Sequence, residues 1–163
     1  MNDGGKVRGF LLDTNHVGAF CRNDPKVVAK LRTFPVEWTV RVCAITLGEI
    51  EAGHLITTTT DQAKRIDFLR CINEEFLRHA LEISIFTRFK YAQIISRILR
   101  SNPMPNPDTK TERHLVQACG VDINDVWTVA SAWEHNLTFV TTDEMTAIRK
   151  AVKNDVQFDN WLV

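Results

Sequence analysis

The sequence has no stretch long and apolar enough to cross a membrane as a helix: its most apolar segments, such as LEISIF at 81–86, fall far below the ~18 residues a span needs. It has no excess of charge either. Twenty Lys and Arg balance twenty Asp and Glu, so whole-molecule charge does not point to a polyanionic partner and leaves open only a local basic groove. The first ten residues, MNDGGKVRGF, lack the apolar core of a secretion signal, and a cytoplasmic location is expected. Four widely scattered cysteines, Cys21, Cys43, Cys71 and Cys119, form no CxxC pair and have no closely spaced histidine. That argues against a zinc knuckle or a redox motif, and four buried, reduced thiols are expected. No Ser-His-Asp or Cys-His pattern offers a covalent nucleophile, and no internal repeat is present.

What is present is a chain of 163 residues, 44% of them hydrophobic, which suits one domain that buries roughly 70% of its unfolded surface. Residues 1–8 read as a flexible tail ahead of it. FLL at 10–12 lacks the alternation of a half-exposed strand, so it is expected to be buried on both faces, the habit of a parallel sheet. A helix is expected from about Val17, and Asp24-Pro25 opens another, since Asp caps well and Pro suits a first turn. Residues 38–45 are rich in β-branched side chains and read as a second strand. Thr46 and Glu49 then have capping-box spacing. Apolar positions over 61–79 predict a long helix, 81–86 a third strand, and Tyr91, Ile94, Ile95, Ile98 and Leu99 an amphipathic helix that ends before SNPMPNPD. TTTT at 57–60 reads as a loop. Helices over 111–119, closed by Gly120, and over 123–134 follow, with strands at 137–141 and 156–158. This order implies an α/β fold, a mostly parallel sheet of four to five strands with helices on both faces.

In open parallel sheets the site lies beyond the carboxyl ends of the strands. Four acids stand there: Asp13 closes the first strand, Glu49 lies just after the second, Asp125 opens the helix over 123–134, and Asp143 follows LTFVT. Each has an ordinary explanation, as an Asx turn for Asp13, a capping partner of Thr46 for Glu49, a helix N-terminal charge for Asp125 and a cap for Asp143. Their shared placement on one rim is what those explanations leave out. Carboxylates crowded together repel one another and raise each other's pKa, whereas a divalent cation reverses the sign. Oxygen ligands without a Cys/His cluster suit Mg²⁺ or Mn²⁺.

LLDTN at 11–15, TLGEIEAG at 46–53, NDVWTVASA at 124–132 and FVTTDEM at 139–145 together resemble the PIN domain, most closely the VapC-type toxins of bacterial toxin-antitoxin pairs. The likeness runs from Gly9 to Val163. It implies a three-layer α/β/α sandwich and a Mg²⁺- or Mn²⁺-dependent endoribonuclease. It further implies that Asp13, Glu49, Asp125 and Asp143 are the catalytic, metal-holding acids, with Thr14, Asn15 and Thr142 in support. A homodimer and a cognate antitoxin partner are implied as well. His16 departs from the family, which more often has an aliphatic residue there, and is expected to replace a surface apolar group rather than touch substrate. The segment 101–121 departs too, being longer and richer in proline.

RNA laid across an acidic rim needs flanking cations, for which Lys26, Lys30, Arg97, Arg100, Lys110 and Arg113 are candidates. Trp127 and Trp133 have helical spacing that assigns them to the core rather than to base stacking. An aspartyl phosphatase would carry a second aspartate where Asn15 stands. A PIN-like binding scaffold without cleavage, and an RNA-processing nuclease that is not a toxin, remain as alternatives.

Overall fold

The computed structural model describes residues 9–56, 62–103 and 111–163, apart from the side chains of 62–63 and 111–113. The expected tail at 1–8, the TTTT loop and most of the proline-rich segment lie outside them. Among the described residues four strands form an all-parallel sheet: β1 (Gly9–Leu12), β2 (Thr39–Arg41), β3 (Thr138–Val140) and β4 (Phe158–Asp159), in the order β2-β1-β3-β4. β1 is central and buried throughout, as its unbroken apolar run requires. Pairing with β2 sets Gly9 against Thr39, where a Cβ would come within 2.3 Å of the Thr39 carbonyl oxygen. Only glycine fits there.

Among the described residues eight α-helices cover the two faces: α1 (Thr14–Cys21), α2 (Pro25–Leu31), α3 (Ala44–Ile56), α4 (Gln62–Cys71), α5 (Ile85–Ser101), α6 (Thr111–Cys119), α7 (Ile123–Glu134) and α8 (Thr146–Ala151). Because successive strand residues point to opposite sides, β1 and β3 divide their side chains between two cores. Leu11 and Phe139 join Ile94, Ile98, Val126, Val129 and Ile148, beneath α5, α7 and α8. Phe10, Leu12 and Val140 join Val17, Val27, Ile50, Phe76 and Trp161 on the other face. This is the three-layer α/β/α arrangement that the sequence implied.

Several local expectations are corrected. The helix expected from Val17 begins at Thr14, because Asp13 caps it and accepts the His16 N–H. The second strand is cut to three residues, and α3 starts two residues before Thr46, so Thr46 and Glu49 form no capping box. The long helix over 61–79 is α4 followed by a π-helical turn (Ile72–Phe76) and a 3₁₀ turn (Leu77–His79). The third strand at 81–86 shrinks to one bridge, Leu81 to Cys43, since Ser84 opens α5 with a true capping box through Thr87. Ile85 and Phe86, read as strand, are first-turn helix residues that are 66% and 63% exposed.

The cysteine expectation also fails in part. Cys43 and Cys119 are free, but Cys21 and Cys71 form a disulfide, with Cα atoms 5.7 Å apart across a separation of 50 residues. Absence of close spacing excludes local motifs; it cannot exclude a pair that the packing of α1 against α4 brings together. Such a bond fits poorly with the expected cytoplasmic location, where thiols are kept reduced. Trp133 packs against the core as expected, whereas Trp127 is half-buried and stacks on Tyr91 at 4.0 Å between α5 and α7. Among the described residues no helix is long and apolar enough to cross a membrane.

Candidate functional site

β1 and β3 are neighbours, yet β1 is followed in the chain by β2 on its other side, so the strand order reverses between them. A crevice opens at such a switch point. Here a cleft of about 240 Å³ is lined by Asp13, Thr14, Asn15, Thr46, Glu49, Asp122, Asp125, Thr128, Phe139 and Asp143. All four acids singled out in the sequence therefore stand on its wall.

Each is delivered by a different element. Asp13 follows β1, where its N–H continues the ladder to the Val140 carbonyl at 3.0 Å. Its Oδ1 accepts the His16 N–H at 2.8 Å as the cap of α1, and its Oδ2 is buried with no hydrogen-bond partner among the described residues. Glu49 projects from α3 and is gripped at both oxygens: Thr14 Oγ1 donates to Oε2 at 2.8 Å and Asn124 Nδ2 donates to Oε1 at 2.9 Å. Asp125 lies in the first turn of α7, whose cap is Asp122. Asp143 follows β3; its N–H donates to Thr141 Oγ1 at 3.0 Å. It does not cap α8, which begins after Met145. Asn15 Nδ2 donates to Thr142 Oγ1 at 3.2 Å and ties the ends of β1 and β3 together.

The electrostatics follow from that crowding. Asp125 has its pKa raised from 3.8 to about 7, first by burial and then by the charges of Asp122, Asp143, Glu49 and Asp13. A bound cation would oppose each of these effects and lower the pKa again. Among the described residues no three His, Cys, Asp or Glu side chains close up into a ready-made ligand cage. The set fits a hard ion held by one or two carboxylates with water and a phosphate, rather than an all-protein cage. Among the described residues the buried Oδ2 of Asp13 is left without a partner, an acceptor that such an ion would satisfy.

Some sequence expectations find no support here. Lys26 donates to the Leu162 carbonyl, Lys30 pairs with Asp159, and Arg97 pairs with Asp155, so these three hold the fold together. Lys110 and the side chain of Arg113 lie outside the described residues. His16 is corrected as well: it is 0% exposed and hydrogen-bonded to Asp13, not a surface substitute. Asn124 was missed, although it opens the NDVWTVASA segment. Its signal, an amide next to Asp125 in a helix's first turn, does not reveal that it faces Glu49.

No known family model matches the chain, and no curated protein matches it. Solved structures do. A chain of VapBC2 from Rickettsia felis, bound to a DNA fragment from its promoter, has a TM-score of 0.66 at 16% identity, over 94% of this chain and 98% of that one. FitAcB from Neisseria gonorrhoeae has a TM-score of 0.62 at 23% identity, over 93% and 97%. VapBC-5 from Mycobacterium tuberculosis, of the VapBC family of toxin-antitoxin systems, has a TM-score of 0.60 at 20% identity, over 94% and 97%. At these identities the likeness speaks for architecture: the chain has the α/β fold found in these VapBC and FitAcB structures.

Proposed function

We propose that the protein is a Mg²⁺- or Mn²⁺-dependent endoribonuclease and the toxin of a type II toxin-antitoxin pair. One observation carries the reading: acids from four separate chain segments line a single cleft, and one of them, Asp13, keeps a buried oxygen with no partner among the described residues. The fold it shares with VapBC structures supports the toxin assignment. In this reading Asp13 and Asp125 would be the main ligands, with Glu49 and Asp143 completing the set or orienting its water. Glu49, held by Thr14 and Asn124, presents its carboxylate in a fixed orientation. When bound, divalent ions activate water and neutralise charge on the phosphoryl group. Near neutral pH Asp125 shares its proton with solvent, and cation binding would displace that proton.

RNA is the substrate in this proposal, a cognate antitoxin the inhibitory partner, and a homodimer the working form. The test is incubation of purified protein with single-stranded and structured RNAs, with Mg²⁺, with Mn²⁺ and with chelator, beside Asp13→Asn. Cleavage should require the metal and disappear in the variant. Cleavage that persists in both chelator and variant refutes the mechanism. Co-purification with a small protein encoded beside the gene, and loss of cleavage in that complex, distinguishes a toxin from an RNA-processing nuclease. A metal-binding protein that cuts no RNA would leave the binding scaffold instead.

A further inference from the structure

His16 is the one residue of the DTNH stretch that lies outside the cleft wall yet touches its central acid. It is wholly buried, with its ring 6.2 Å from that of Trp161 and edge-on to it. Both ring nitrogens are engaged. Nδ1 lies 2.8 Å from Asp13 Oδ1, and Nε2 lies 3.2 Å from the backbone nitrogen of Trp161. A backbone N–H can only donate, so Nε2 must be the bare, accepting nitrogen and Nδ1 carries the proton given to Asp13. Oδ1 thus receives two bonds from one residue. The backbone bond would form with any residue at position 16, but the ring bond requires this side chain.

The far end of the relay is anchored too. Trp161 Nε1 donates to Asp159 Oδ2 at 3.0 Å, Lys30 pairs with the same oxygen at 3.0 Å, and Lys26 Nζ donates to the Leu162 carbonyl at 2.9 Å. The C-terminal residues are therefore fastened to α2 while they hold the histidine ring.

We infer that His16 is a positioning residue for metal binding, which saturates Oδ1 of Asp13 and sets the carboxylate so that Oδ2 alone faces the cleft. The inference rests on the metal-dependent reading above. Partners of this kind, one shell behind a ligand, commonly change metal affinity by about 10–100-fold when removed.

Two variants isolate the contact. His16→Leu and His16→Asn both take the acceptor from the Trp161 N–H, so both should melt at similarly lowered temperatures. Only the asparagine keeps a donor, its Nδ2, near the place of Nδ1. Mn²⁺ binding, measured by electron paramagnetic resonance on metal-free protein, should weaken about 10–100-fold in the leucine variant and stay within about threefold of wild type in the asparagine variant. Equal binding by wild type and leucine variant, or equal loss in the two variants, overturns the inference and leaves the nuclease reading intact. Wild-type protein that binds no Mn²⁺ overturns both. Should the leucine variant not fold, nitrogen-15 spectra of wild-type histidine decide: the proton belongs on Nδ1, and a proton on Nε2 refutes the relay.

Discussion

Replacing Asp125 by asparagine should make the protein more stable while destroying its activity, and the gain should depend on pH in a defined way. In the wild type the carboxyl holds its proton up to about pH 7 in the fold, against 3.8 when free. Between those values the folded state binds more protons than the unfolded chain, so stability falls as pH rises through the window and is level above it. At about 1.4 kcal/mol per pH unit the full displacement is worth about 4 kcal/mol. Asp125 faces an open cleft, however, and solvent screening of the surrounding charges reduces this to about 1–2 kcal/mol. Asparagine keeps the size and loses the charge. In chelator at pH 8 the variant should therefore melt about 3–6 °C above wild type, converging with it near pH 4. Added Mg²⁺ should reverse the order at pH 8 by stabilising only the wild type. Thermal melts of both proteins from pH 4 to 8 provide the assay. A variant that is less stable at pH 8, or a wild-type pH slope that survives the substitution, would show that the acids do not crowd Asp125 as described.

Other substitutions probe the supports of the site and of the fold. Thr14→Ala or Asn124→Ala each releases one oxygen of Glu49 and should weaken Mn²⁺ binding about tenfold by titration calorimetry, with stability changed by no more than ~1 kcal/mol. Cys21→Ser opens a loop of 50 residues and should cost about 2–4 kcal/mol in urea unfolding, while thiol titration of the native wild type should find two free cysteines rather than four. Gly9→Ala drives a Cβ against the Thr39 carbonyl and should cost about 1–3 kcal/mol, whereas Gly48→Ala, on α3 with open space around it, should gain about 0.5–1 kcal/mol.

The sequence was most informative where one interaction decides a residue's role. The apolar run of β1 has a single physical reading, burial on both faces, and Asp24 caps α2 ahead of Pro25 as local chemistry requires. Placement of the four acids on one rim follows from the rule that strand ends and switch points carry sites. Boundaries were less legible wherever two local signals compete. LEISIF has the composition of a strand, but Ser84 offers its hydroxyl to the Phe86 and Thr87 N–H groups, and that cap starts a helix inside the run. Thr46 and Glu49 have the spacing of a capping box, yet Glu49 is drawn away by donors 35 and 75 residues distant in sequence.

The residues that were misread share a cause: their roles are set by partners that no local window contains. His16 is read through Trp161, at a separation of 145 residues, and Cys21 through Cys71. Both contacts converge on α1, the helix whose cap is Asp13. Its N-terminal end is tied to β3 through Asn15 and Thr142 and to α3 through Thr14 and Glu49, and its C-terminal end is cross-linked to α4. A buried carboxylate with an unpartnered oxygen is costly to hold in place. Fastening at both ends the helix that Asp13 caps is how the fold offsets that cost and holds the carboxylate in place.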